Sequence, residues 1–198
     1  MRILLIHFVV LTMLCRFQSE AIEAYHTSGI TQMLADTAKK PTVSIEEATV
    51  KPFSVLAIRD TATSMEDISR VLGKGYGELF AFIGKNSLMP LRVMAFYYSY
   101  QPPIPVDITI EIGKMPASLS GRIFEKKIEG GRAYVAHYQG PYSLVEIAYT
   151  AIASKLKEED NEANGQPFEV YLNSPGTVKD SNELRTDIYQ LYKRILNH

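Results

Sequence analysis

Gln166-Pro167-Phe168-Glu169-Val170-Tyr171-Leu172-Asn173-Ser174-Pro175 is a short alternating stretch bounded by prolines. Successive side chains of a strand point to opposite faces, so Phe168, Val170 and Leu172 share one face while Glu169, Tyr171 and Asn173 share the other. The first face reads as core. The second sets a carboxylate beside a phenol, and what the pair can do depends on whether that face meets open water or lines a pocket.

Upstream, Arg132 to Tyr138 reads as a strand and Gly140-Pro141 as its punctuation. Leu144, Ile147, Ala148, Ala151, Ile152 and Leu156 then recur at helical spacing behind a capping box at Ser143 and Glu146. An acidic, loop-like stretch, Glu158 to Gly165, leads into Phe168. Downstream, Leu184 to Leu191 sets Leu184, Thr186 and Ile188 against Arg185, Asp187 and Tyr189. The order is β-α-β-β.

The same order occurs once before. Val55 to Arg59 reads as a strand, Ser64 and Asp67 as a capping box, and Met65, Ile68, Leu72, Tyr76, Leu79, Phe80 and Ile83 as a helix weakened at Gly73, Gly75 and Gly77. Strands over Val93 to Tyr100 and Val106 to Ile112 follow, and Ile123 to Ile128 reads as an extra strand before the turn at Gly130-Gly131. Ser64 and Ser143, like Val106 and Leu184, lie about 78 residues apart. Identity between the halves is negligible, so elements are repeated and residues are not. Two modules, about 50–115 and 121–195, predict an α+β fold. They are expected to form one curved antiparallel sheet with helices on a single side and a concave, uncovered face on the other. The helix-free side is expected to carry Glu169, Tyr171, Asp187, Tyr189, Asp107 and Thr109.

Composition narrows the partners. A chain of 198 residues that is 46% hydrophobic can bury a full core. A net charge of -1 without any block of Lys or Arg gives no electrostatic footprint for nucleic acid. Twelve Tyr and eight Phe without a Trp make tyrosine the main aromatic resource, for core or for binding.

At the N-terminus, Met1-Arg2, the apolar run Ile3 to Leu14 and the small residues of Ser19-Glu20-Ala21 read as an export signal over 1–21, cleaved near Ala21. The expected location is periplasmic or secreted. The alternative is a retained N-terminal membrane anchor, although a comfortable span needs roughly 20 apolar residues. Leu14 disfavours lipidation at Cys15, and cleavage near Ala21 leaves a mature chain without cysteine, hence without disulfides or a thiol nucleophile. Residues 22–49 read as a polar spacer, too short for a DNA-binding domain with its own core, and 50–198 as the folded domain.

Gly130-Gly131-Arg132-Ala133-Tyr134, His137-Tyr138-Gln139-Gly140-Pro141-Tyr142, Glu169-Val170-Tyr171 with Pro175, and Glu183-Leu184-Arg185-Thr186-Asp187-Ile188 occur in an ordered set. In order and spacing they resemble the GyrI-like small-molecule-binding domain, which also forms the effector-binding domain of AraC-type and MerR-type regulators. The resemblance covers about Val50 to Ile195. It implies a pseudo-twofold fold of two β-α-β-β modules with a ligand groove between them, a glutamate on the strand matching Phe168 to Leu172 that faces this groove, and ligands that are hydrophobic and often cationic aromatics. The matching residue is Glu169. Some relatives are similar to hydrolases in which such an acid activates water. The chain departs from the pattern in its glycine-weakened first helix, its long Gln101 to Pro105 connection and its lack of tryptophan.

The candidate ligand-binding residues are therefore Glu169, Tyr171, Tyr138, Tyr98, Tyr134, Asp107 and Asp187, with Tyr97 and Tyr100 as further aromatics. From pattern alone, Glu169 fits a solvent-facing strand carboxylate equally well. His137 reads as a structural or surface histidine, and no residues have metal-ligand spacing. No cofactor is expected. Three functions follow. The first is an exported binding module for a small molecule, with no role for nucleic acid. The second is a hydrolase with Glu169 as general base and a tyrosine as proton donor or oxyanion stabiliser. The third is an interaction domain whose concave face takes a peptide.

Overall fold

A computed structural model describes residues 40–195. The export signal or anchor at 1–21 and most of the spacer lie outside the described residues. Among the described residues no helix is long and apolar enough to cross a membrane. In chain order the elements are β1 (Thr42–Val50), β2 (Phe53–Ala62), α1 (Ile68–Lys85), β3 (Pro90–Tyr97), β4 (Ile104–Ile112), β5 (Phe124–Ile128), β6 (Gly131–Gln139), α2 (Glu146–Glu158), β7 (Asn161–Ala163), β8 (Phe168–Tyr171) and β9 (Arg185–Arg194). The strands make one antiparallel sheet in the order β1-β6-β9-β8-β3-β4-β2-β5, with β7 attached to β9. The fold is α+β and the sheet is not closed.

The two halves of that order, β8-β9-β6-β1 and β3-β4-β2-β5, are equivalent, and they join where Met94 and Ala95 of β3 pair with Val170 and Glu169 of β8. The outer strands are exchanged. β1 precedes β2 in the chain but pairs with β6, and β5 precedes β6 but pairs with β2. The connections between them run against each other. Gly130 has φ 77°, and a Cβ there would sit 2.5 Å from the Val50 carbonyl oxygen, so the position requires glycine. β1 takes in the whole of Thr42 to Thr49, a stretch expected to be spacer, so the sheet begins before residue 50.

Both helices lie on one face. Val71, Leu79, Phe82 and Ile83 of α1 pack on Leu56, Ile58, Ile108 and Ile110. Ala148 and Ile152 of α2 pack on Tyr134, Ala136 and Ile188. Gly75 lets α1 approach closely, since a Cβ there would lie 2.2 Å from Ile108 Cδ1. The opposite face has no helix, yet Val55, Met94, Phe96, Phe168 and Val170 are buried on it together with Ile128, Ala133 and Leu191 from both ends of the sheet. The bend of the sheet provides that cover. Phe168 stacks there between Phe96, at 5.0 Å, and Tyr189, at 4.9 Å.

This packing reverses one expectation. Phe168 and Val170 point to the helix-free face, and Glu169 and Tyr171 point to the face that carries the helices. Both faces of β8 are enclosed, so the apolar set does not mark the helix side. Smaller differences follow from local geometry. The Ser64 hydroxyl accepts from Asp67 N–H as expected for the box, but Asp67 reaches back to Thr63. Ser143 caps nothing, because α2 is entered through a 3-10 turn, Tyr142–Leu144. β7 lies inside the expected acidic loop, and β3 ends at Tyr97.

Candidate functional site

Glu169 sits at the join of the two halves, on the face between α1 and α2. Across the ladder its partner is Ala95, whose methyl leaves the space above the carboxylate to other side chains. Tyrosines fill it. Tyr149 of α2 shares the inward stripe of Val145, Ile152 and Leu156, and its hydroxyl donates to Glu169 Oε1 at 2.7 Å. Tyr76 of α1, on the stripe of Leu72, Leu79 and Ile83, donates to the Met94 carbonyl at 2.9 Å and sets its ring edge-on to Tyr171 at 6.5 Å. Tyr97 and Tyr171 share a hydroxyl-hydroxyl hydrogen bond of 3.1 Å. Tyr142, from the 3-10 turn, lies edge-on to Tyr171 at 5.8 Å, and Tyr100 closes the row against Tyr149 at 4.9 Å. Tyr100 and Tyr142 form the exposed rim.

The six rings leave Glu169 only 5% exposed. Burial raises its carboxyl above the ordinary range, and the hydroxyls of Tyr149 and Tyr171 only partly offset this. The phenols are shifted in turn. Burial and the nearby acid push Tyr149 and Tyr171 well up, and burial pushes Tyr100 up to about 12, so the rings stay neutral. Among the described residues no Lys, Arg or His forms an ion pair with Glu169.

Asp107 provides the contrast. It is fully buried on the helix-free face and accepts from Arg59 at 2.7 and 2.8 Å, from Tyr98 at 2.6 Å and from Lys126 at 3.0 Å. Burial alone would raise this carboxyl, but the combined hydrogen bonds hold it below its ordinary value. The rings beside Asp107 are covered by the chain's own cations, with Arg59 over Tyr98 at 4.7 Å and Lys126 over Phe96 at 4.6 Å.

Of the residues singled out from sequence, the structure brings Glu169 and Tyr171 together, with Tyr97 and Tyr100. Tyr98 and Asp107 pair with each other on the opposite face. Asp187 is on that face too, accepting from His137 Nδ1 at 2.8 Å, with Glu46 on the other ring nitrogen at 3.3 Å. The Asp187 hydrogen bond raises the imidazole above its ordinary value. His137 is thus a tie between β1, β6 and β9. Tyr134 and Tyr138 belong to the core under α2. Tyr134 stacks on Tyr192 at 4.4 Å and its hydroxyl accepts from Asn161, while Tyr138 donates to the Pro141 carbonyl at 2.7 Å. Tyr76, Tyr142 and Tyr149 were not anticipated. The available signal was a tyrosine within an otherwise apolar helical stripe at Tyr76 and again at Tyr149. Among the described residues no group of three or more His, Cys, Asp or Glu is placed to hold a metal ion.

The model of the GyrI-like small-molecule-binding domain matches residues 43–193. The chain belongs to this family. Solved structures similar to the GyrI-like chain include the C-terminal domain of EcmrR, 16% identical with a TM-score of 0.62, covering 79% of this chain and 100% of that one. A hydrolase from Listeria innocua is 11% identical with a TM-score of 0.55, over 82% of this chain and 98% of that one. SAV2435 bound to tetraphenylphosphonium is 10% identical with a TM-score of 0.50, over 76% of this chain and 94% of that one. At these identities the likeness is one of fold. No curated protein matches the chain by sequence.

Proposed function

We propose that this GyrI-like domain binds a hydrophobic, cationic aromatic molecule between α1 and α2, with Glu169 as its charge partner and the tyrosine rings as its walls. One observation carries the reading. Of two buried carboxylates in one domain, Asp107 is neutralised by Arg59 and Lys126, whereas Glu169 lies among tyrosine side chains, takes hydrogen bonds from their hydroxyls and forms no ion pair among the described residues. A buried carboxylate without a partner is costly, and a cation lying against aromatic faces removes that cost while gaining cation-π attraction. The tetraphenylphosphonium complex of SAV2435 is consistent with ligands of this class on this fold. The rings close over the acid, so Tyr100 and Tyr142 at the rim must swing aside on entry. The export signal read at 1–21 supports a role outside the cytoplasm, sequestering or sensing the molecule there.

The test is to incubate the chain with tetraphenylphosphonium and a panel of aromatic cations and electrophiles, following thermal shift and product mass together for wild type and Glu169→Gln. Stabilisation without product, lost in the variant, is expected. Product that disappears in the variant makes the chain a hydrolase with Glu169 as general base. Identical behaviour of the two proteins removes Glu169 from the site.

A further inference from the structure

Thr186 of β9 is 0% exposed and its hydroxyl has no hydrogen-bond partner. For packing alone valine of the same shape does better, since a buried hydroxyl gives up water and here gains nothing. Its position suggests what the hydroxyl is for. Thr186 pairs with Tyr171 of β8 on one side and Tyr138 of β6 on the other, which places it on the helix-bearing face. Glu169 pairs with Ile188, so Thr186 is its diagonal neighbour, a separation of about 7 to 8 Å in an antiparallel sheet. The segment from Gly140 to Leu144 is fastened to its neighbours. Gly140 N–H donates to the Leu184 carbonyl at 3.0 Å, the Tyr138 hydroxyl holds Pro141, and Tyr142 rests on Tyr171. The turn that carries the rim residue Tyr142 is thus anchored on Tyr138 and Tyr171, the two cross-strand partners of Thr186.

We propose that Thr186 Oγ1 is a second polar anchor of the Glu169 groove, and that the ligand class is a lipophilic aromatic cation bearing a hydroxyl or carbonyl about one ring away from its charge. This rests on Glu169 being the partner of a cation. A ligand that displaces the Tyr142 turn sets its charge over Glu169 and gives Thr186 the hydrogen bond it lacks. A cation without a polar substituent leaves Thr186 as unsatisfied as it is in the empty domain.

The matched probes are tetraphenylphosphonium and (4-hydroxyphenyl)triphenylphosphonium, which differ by one hydroxyl, titrated calorimetrically into wild type, Thr186→Val and Thr186→Ser. Wild type is expected to prefer the hydroxylated cation by about three- to tenfold. Thr186→Val loses that preference while still binding tetraphenylphosphonium, and Thr186→Ser keeps it. The empty valine variant melts higher than wild type by about 2 to 6 °C. Equal affinities in wild type, a preference that survives in Thr186→Val, or a valine variant that melts lower each overturn the anchor while leaving the Glu169 reading standing. Failure of wild type to bind either cation removes both.

Discussion

The hydroxyl of Tyr149 donates to Glu169 Oε1 at 2.7 Å, and this bond ties α2 to the strand at the centre of the sheet. It is the strongest brake on the upward shift that burial imposes on the acid. Tyr149→Phe keeps the ring and removes the brake. The Glu169 carboxyl is then expected to titrate at higher pH than in wild type, followed by carbon NMR of labelled glutamate. Affinity for tetraphenylphosphonium at pH 7 should fall about three- to tenfold, because the carboxylate form loses a charge-assisted hydrogen bond. An unchanged titration would mean that Tyr149 merely packs beside the acid.

The raised carboxyl also fixes how stability depends on pH. A group that holds its proton more tightly when folded contributes stability that is fully present below its unfolded value, here near 4.5, and that is lost as pH rises through the folded value. Wild type therefore loses stability over that interval and Glu169→Gln does not. The variant should be equal to wild type or weaker at pH 4 and more stable by about 1 to 2 kcal/mol at pH 8, by urea denaturation. A gap that does not widen with pH would place Glu169 in water.

Much of the architecture was legible because strand and helix periods repeat with a constant offset. The offset also contained a strand that the composition concealed. Val50 and Ile128 end equivalent strands 78 residues apart, so the extra strand before the second module implies one before the first. Its polar residues, Ser44, Glu46, Glu47 and Thr49, are those of an exposed edge strand and look like a spacer. The site was legible at Glu169 and Tyr171 but not in its orientation. β4 shows which side carries the helix, because Ile108 and Ile110 are apolar and Asp107 is not. β8 does not, because Phe168 and Val170 face an aromatic cluster created by the bend of the sheet. Strand phase assigns Tyr98 to the face of Phe96, away from Glu169, whereas Tyr134 and Tyr138 share the face of Glu169 and lie in the core under α2.

Asp107 separates structural from ligand-directed carboxylates. Asp107→Ala leaves Arg59 and Lys126 without their shared acceptor and strips a hydrogen bond from Tyr98. Because Arg59 is largely in water, the cost is expected to be about 2 to 3 kcal/mol, below that of a fully buried pair. The wild-type contribution of this lowered carboxyl is present above its unfolded value near 3.8 and is lost as pH falls through the folded value, so the variant should denature less steeply in acid. Tetraphenylphosphonium affinity should stay within twofold of wild type, since about one sheet thickness separates the two carboxylates. Loss of binding with intact folding would instead place the ligand on the helix-free face.

The three glycines of α1 differ in what surrounds them. Around Gly73 and Gly77 nothing lies within 4 Å of an added Cβ, so alanine there gains helix propensity without a clash and should stabilise by about 0.5 to 1 kcal/mol each. At Gly75 the same methyl meets Ile108, with Cδ1 at 2.2 Å and Cγ2 at 3.2 Å, and Ile108 is itself fully buried against the sheet. Rotation of Cδ1 relieves the shorter contact but not the longer. Overpacking costs about 1 to 3 kcal/mol and outweighs the propensity gain, so Gly75→Ala should be destabilising where its neighbours are stabilising. Tyr76 follows Gly75 directly, and lifting α1 off Ile108 draws its hydroxyl away from the Met94 carbonyl, beside the pairing of Ala95 with Glu169. Gly75→Ala should therefore weaken tetraphenylphosphonium binding while Gly73→Ala and Gly77→Ala leave it unchanged. Equal effects of all three on melting temperature and affinity would mean that the close approach of α1 does not set the walls of the site.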